Sequence, residues 1–109
     1  MAQFDVHKNI GKQRDAIPFV VVVQSSLYDG YSRRVVVPLV RRSTLARTAT
    51  FLATPLNPVF TVKGIKVVLH PLEMVSVVIE NLGEQVATLV EEGDAIVAAM
   101  DEMLTRAWL

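Results

Sequence analysis

Phe19-Val20-Val21-Val22-Val23 and, beyond a turn, Val35-Val36-Val37-Pro38-Leu39-Val40 are the stretches that decide the fold. Both are rich in β-branched residues. The first is continuous where a half-buried strand would alternate, which predicts a strand covered on both faces. It runs out at Gln24-Ser25-Ser26, and Tyr28-Asp29-Gly30-Tyr31-Ser32 supplies the turn, its Asp-Gly step taking backbone conformations closed to β-branched residues. Proline has no N–H to give to a ladder, so Pro38 predicts that the second strand lies at a sheet edge or carries a bulge.

Working outward, Phe4 and Val6, spaced by two among polar neighbours, predict a short first strand, and Lys8 to Asp15 is a polar connection. Ser43 to Leu52 predicts a helical turn or two, capped by Ser43 or Thr44 and stopped by Pro55 and Pro58. Val59 to Val62 and Ile65 to Leu69 flank Lys63-Gly64, a hairpin signal, and Met74 to Ile79 reads as a further strand, for a sheet of about five or six. From Gly83 the apolar spacing turns helical. Val86, Leu89 and Val90 fall on a short piece; past a join at Gly93-Asp94, Ile96, Val97, Met100, Met103, Leu104, Ala107 and Trp108 fall on a longer one. With no repeat and no linker, residues 1–109 read as one domain, mainly β with a C-terminal α-helix.

The 109 residues are 51% apolar, more hydrophobic material than so small a body easily hides, which points to a dimer. The longest apolar run, Ala16 to Val23, is far too short to cross a bilayer, and Met-Ala-Gln-Phe-Asp lacks the basic and apolar parts of a signal peptide, so a cytoplasmic location is expected. The absence of cysteine removes disulfides and thiolate chemistry together. Net charge is zero but segregated: residues 1–47 carry eight Lys/Arg against three Asp/Glu, and residues 73–109 one against eight. No overall basic excess marks a general nucleic-acid binder, although the basic half could form a face for an acidic protein segment.

No phosphate-cradling glycine loop, histidine pair at helical spacing or serine elbow is present. His7 and His70 are isolated, each without a neighbouring acid in sequence, and read as ordinary surface or satisfied histidines. Arg33-Arg34 beside Ser32 is the one basic cluster near a loop that could hold a phosphate. The terminal helix says more. Its apolar positions form one stripe through Ile96, Met100, Met103 and Ala107 and a second line through Val97, Leu104 and Trp108, enough to face the sheet and one further surface. Methionines and a tryptophan near a chain end suit a re-packable contact.

Taken in order, Gln3-Phe4 with Val6, Val23-Gln24-Ser25 followed by Asp29, Arg33-Arg34-Val35-Val36-Val37-Pro38-Leu39, Pro58-Val59, and Gly83-Glu84 with Val86-Ala87 and Leu89 resemble the CcdB toxins of plasmid and chromosomal toxin–antitoxin pairs. Residues 41–57 and 63–73 are unlike that family. The resemblance implies an SH3-like barrel with a C-terminal helix, a homodimer, and a toxin that traps DNA gyrase on cleaved DNA by binding its A subunit. It further implies a cognate CcdA-like antitoxin, a DNA-binding protein whose flexible tail wraps the toxin. Neither cofactor nor metal is implied, nor a membrane partner or direct nucleic-acid specificity.

By the same resemblance, gyrase contacts fall on Ser25, Leu27 and Tyr28 and, at the helix end, on Asp101, Thr105, Trp108 and Leu109. In the family a terminal tryptophan, glycine and isoleucine carry gyrase poisoning. Counted without gaps from Gly83-Glu84, those three fall here on Thr105, Arg106 and Ala107; a helix insertion aligns Trp108 with the tryptophan instead, and the glycine is then missing. Two other readings stand beside this one. The chain could be an endoribonuclease toxin on the same barrel, as in the MazF and Kid families, or a member that retains antitoxin binding without poisoning gyrase. No acid–base pair near Arg33 favours the nuclease.

Overall fold

A computed structural model describes residues 2–45 and 54–105. Seven strands form one antiparallel sheet: β1 (Asp5–Lys8), β2 (Phe19–Val22), β3 (Arg33–Arg41), β4 (Val59–Val62), β5 (Ile65–Leu69), β6 (Val75–Val78) and β7 (Gln85–Thr88). The path runs β4-β5-β3-β2-β1-β7, with β6 also paired to β3. It curls into a half-barrel that carries a single helical turn after β3, α1 (Arg42–Leu45), and a closing helix, α2 (Gly93–Thr105). The architecture is the expected one, mainly β with a C-terminal helix.

Strand β3 organises the curl. One side pairs with β2 from Val36 to Leu39; the other pairs first with β6 through Arg33 to Val36 and then with β5 through Leu39 to Arg41. β5 and β6 are thus two pieces lying end to end along β3, separated by a 3-10 turn at Pro71–Glu73. The sequence placed Pro38 at an edge or bulge, and this is corrected: it sits in the most interior strand. Its carbonyl accepts from His70 N–H at 3.1 Å. In a strand the N–H and C=O of one residue face the same side. The missing donor therefore points at the gap between β5 and β6, where no ladder bond is required.

The core lies inside the curl, where Val6, Val21, Val37, Leu39 and Leu69 of the sheet meet Ile96 and Ala99 of α2. The outer face of β2 and β3 is also largely covered, with Val22, Val36 and Pro38 buried, which is why these strands read as continuous apolar runs. The two lines on α2 separate as the spacing predicts. Ile96 is buried and Met100 packs on the core, while Val97 and Leu104 are exposed.

Other expectations are revised. Phe4 is not in the first strand; it adopts a left-handed φ of 71° just before it and lays its ring over Gly93 at the start of α2. Residues 85–88, read as helical from Val86, Leu89 and Val90, form β7 against β1, so the described residues hold seven strands. The helical turn after β3 starts at Arg42, so neither Ser43 nor Thr44 caps it, and the part of that helix expected over 46–52 lies outside the described residues. The Lys63-Gly64 hairpin forms as predicted, both residues at positive φ, 52° and 77°. At Gly83 a Cβ would sit 2.5 Å from the Lys8 carbonyl oxygen, so only glycine lets the chain enter β7 here.

Candidate functional site

The residues between β2 and β3 build a raised loop. Ser25 caps a 3-10 turn, Ser26–Tyr28, its hydroxyl accepting from Leu27 N–H at 3.2 Å. Leu27, Tyr28 and Tyr31 are then left in solvent, Leu27 at 81% exposure. The two tyrosine rings meet edge to face with centroids 6.2 Å apart. Large apolar side chains gathered on a loop are costly in water and typical of a contact surface.

The loop is held from beneath by groups with no other evident task. Arg34 is only 4% exposed. Its guanidinium donates to the carbonyls of Tyr31 at 2.6 Å, Arg33 at 2.9 Å and Asp29 at 2.8 Å. Its Nε makes no hydrogen bond and faces the Asp29 carboxylate at 3.7 Å. A fork of donors aimed at three main-chain oxygens fixes the loop's path, and the nearby carboxylate offsets part of the cost of burying the charge. Gln24 completes the frame: its Oε1 accepts from Val35 N–H at 3.0 Å, and its amide donates to the carbonyls of Tyr28 and Arg33 at 3.1 and 3.3 Å.

The loop also connects to the chain start. Gln3 N–H donates to the Ser26 hydroxyl and the Gln3 amide to Val23 O, while the next residue, Phe4, packs against the first residue of α2. Gln3-Phe4 thus couples the loop to the near end of the helix. Asp101 and Thr105 lie two to three turns further along, exposed, with the Thr105 hydroxyl donating to Asp101 O at 2.9 Å. They line a recess with Pro55, Ala98 and Glu102. Of the expected contact residues, Ser25, Leu27 and Tyr28 are brought together, as are Asp101 and Thr105; no hydrogen bond or ion pair among the described residues joins the two groups. Trp108 and Leu109 lie outside the described residues.

The other candidates for chemistry are occupied by the fold. Arg33 donates from Nε to the Ser76 hydroxyl at 2.8 Å and from its terminal nitrogen to Ser76 O at 2.9 Å, stitching β3 to β6. With Arg34 turned inward, the pair does not form the phosphate-holding cluster the sequence allowed. Of the two readings of His7, surface or satisfied, the structure takes the second: it is buried, and its Nδ1–H donates to Gly83 O at 2.9 Å. His70 does have an acid within reach, contrary to the sequence reading: Glu73, three residues on, places a carboxylate oxygen 3.9 Å from Nε2. No cluster of metal-ligating side chains occurs among the described residues, nor is any helix there long and apolar enough to cross a membrane.

Gln24 and Gln3 escaped the sequence reading as functional residues, and Arg34 entered it only as half of a phosphate-holding pair. Strand parity puts Arg34 on the same face as Val36, but nothing local says that this end of the face is covered. The family model described as CcdB protein matches residues 3–105 of the chain. No curated protein matches it at a significant level.

Proposed function

The chain belongs to the CcdB family, whose members are toxins of toxin–antitoxin pairs, and we propose that it acts by binding the A subunit of DNA gyrase and trapping the cleaved DNA complex. The observation that carries this reading is the display of Leu27, Tyr28 and Tyr31 on a loop that Arg34 and Gln24 fix from below. Pre-ordered aromatic and aliphatic side chains give a contact its energy without the cost of ordering a mobile loop. A mechanism by binding, not catalysis, is further supported by the burial of Arg34 against the protein's own carbonyls and the bonding of Arg33 to Ser76, with no acid–base pair beside them among the described residues.

The same reading includes a homodimer and a cognate antitoxin. The second line of α2, with Val97 at 47% and Leu104 at 61% exposure, is the apolar surface that a second copy would cover. Toxin activity is tested by inducing the chain in a gyrase-dependent host and measuring capture of purified gyrase A subunit. Leu27→Asp with Tyr28→Ala is expected to abolish both growth arrest and capture while circular dichroism and the unfolding midpoint stay put, because both side chains already face water. Undiminished growth arrest by that variant, or arrest with no capture of the A subunit, would overturn the proposal.

A further inference from the structure

The far end of β3 carries a second arginine pair in a different setting. Between Asp29 and Glu73 the sequence holds no acidic residue at all, yet it holds Arg33, Arg34, Arg41, Arg42, Arg47, Lys63 and Lys66. Arg33 and Arg34 are tied to the protein's own oxygens. Arg41, Arg42 and Lys66, with Ser43, Gly64 and Ile65, line an open recess of about 590 Å³ beside the Lys63-Gly64 turn. Among the described residues the Arg41 side chain makes one hydrogen bond, from its Nε to Asp15 O at 3.0 Å. Arg42 and Lys66 are exposed and have no ion pair or side-chain hydrogen bond among the described residues. Three cations around one recess repel one another, and with no acid paired to them among the described residues the face is poised for an anion.

We propose that this face binds the phosphate backbone of nucleic acid, without reading sequence. A carboxylate-rich protein segment is the other anion of suitable size, and the composition of the recess argues against it. Ile65 is its one apolar side chain, so a peptide would find no pocket for an anchor and would have to order its chain in exchange for exposed ion pairs, which contribute little. A duplex is already rigid and gains from counterion release on meeting each cation. Zero net charge is no obstacle, because eight of the eleven acidic residues lie in positions 73–109 and the field at this face is local. Binding here does not depend on which protein the toxin targets.

The test uses the full chain with a labelled mixed-sequence DNA duplex at low ionic strength, and a labelled Glu/Asp-rich peptide as the competing anion. Binding to the duplex is expected, with log K falling against log salt at a slope of about −3 for three released counterions. Arg42→Ala with Lys66→Ala, both solvent-facing, should weaken binding tenfold or more and reduce the slope to about −1. Arg33→Ala, roughly 26 Å away along β3, should leave slope and affinity in place. Absence of duplex binding, binding unchanged in the double variant, or a peptide that binds more tightly than the duplex would each overturn the proposal. Circular dichroism of each variant keeps loss of fold distinct from loss of binding.

Discussion

Two arginine pairs sit at the two ends of one strand, and the fold uses them in opposite ways. At the start of β3, Arg34 is buried under three carbonyls and Arg33 is bound to Ser76. At its end, Arg41 and Arg42 stand with Lys66 around an open recess. The difference is one of surroundings, not residue type. The loop before β3 turns its main-chain oxygens inward and needs donors, whereas after β3 the chain passes directly into α1 and the oxygens near Arg42 are taken up in the helical turn. A cation that supplies missing donors becomes structure; one with nothing to satisfy remains available to a partner.

The sharpest way to break this comparison is Arg34→Ala. It removes three hydrogen bonds, takes from the Asp29 and Tyr31 carbonyls the donor that holds them while Arg33 O keeps the Gln24 amide, and isolates the Asp29 carboxylate. A loss of about 3 kcal/mol is expected in denaturant unfolding at fixed protein concentration, with growth arrest lost alongside. Arg34→Lys should recover only a minor part, since one ammonium cannot reach carbonyls spread over residues 29, 31 and 33. A variant at position 34 that unfolds like the parent would mean the loop is held by something else.

Gln24→Ala comes next. Its amide is partly wet, and water can replace the bonds to Tyr28 and Arg33, but the Val35 N–H lies where β2 and β3 begin to diverge and is half-buried. About 1 kcal/mol is expected, with a proportionally larger loss of growth arrest because the loop loosens before the fold does. Equal loss in both measurements would place Gln24 with the core and not with the loop.

These differences set the limit of what the sequence could convey. β2, β3, the Lys63-Gly64 hairpin and α2 were legible because each is signalled locally, by a β-branched run, a turn dipeptide or a helical stripe. β7 was misread because Val86, Leu89 and Val90 fall at helical spacing by coincidence, while the actual determinant is its pairing with β1, some eighty residues earlier in the chain. Pro38 was misplaced for the same reason: its tolerance depends on where β5 stops and β6 starts. In the candidate site, Ser25, Leu27 and Tyr28 came from the family resemblance. Arg34 and Gln24, which hold them, make contacts that only the folded loop creates.

The smallest expected effect belongs to the other arginine pair and has the opposite sign. Arg42 and Lys66 gain nothing from the fold: neither has an ion pair among the described residues, and each stands in the field of the other and of Arg41. Removing one cation relieves repulsion at a high-dielectric surface, so Arg42→Ala should raise stability by a few tenths of a kcal/mol, roughly 0.3, and alanine's helix propensity within α1 acts in the same direction. The electrostatic part must fade as salt rises past the point where the screening length drops to about 8 Å, while the propensity part persists. Unfolding curves of parent and variant at low and high salt separate the two. The variant is expected ahead at low salt, with its lead narrowing at high salt to the propensity part alone. If Arg42→Ala instead destabilises the protein at low salt by an amount comparable to Gln24→Ala, this arginine has a structural partner, and the contrast between the two ends of β3 fails.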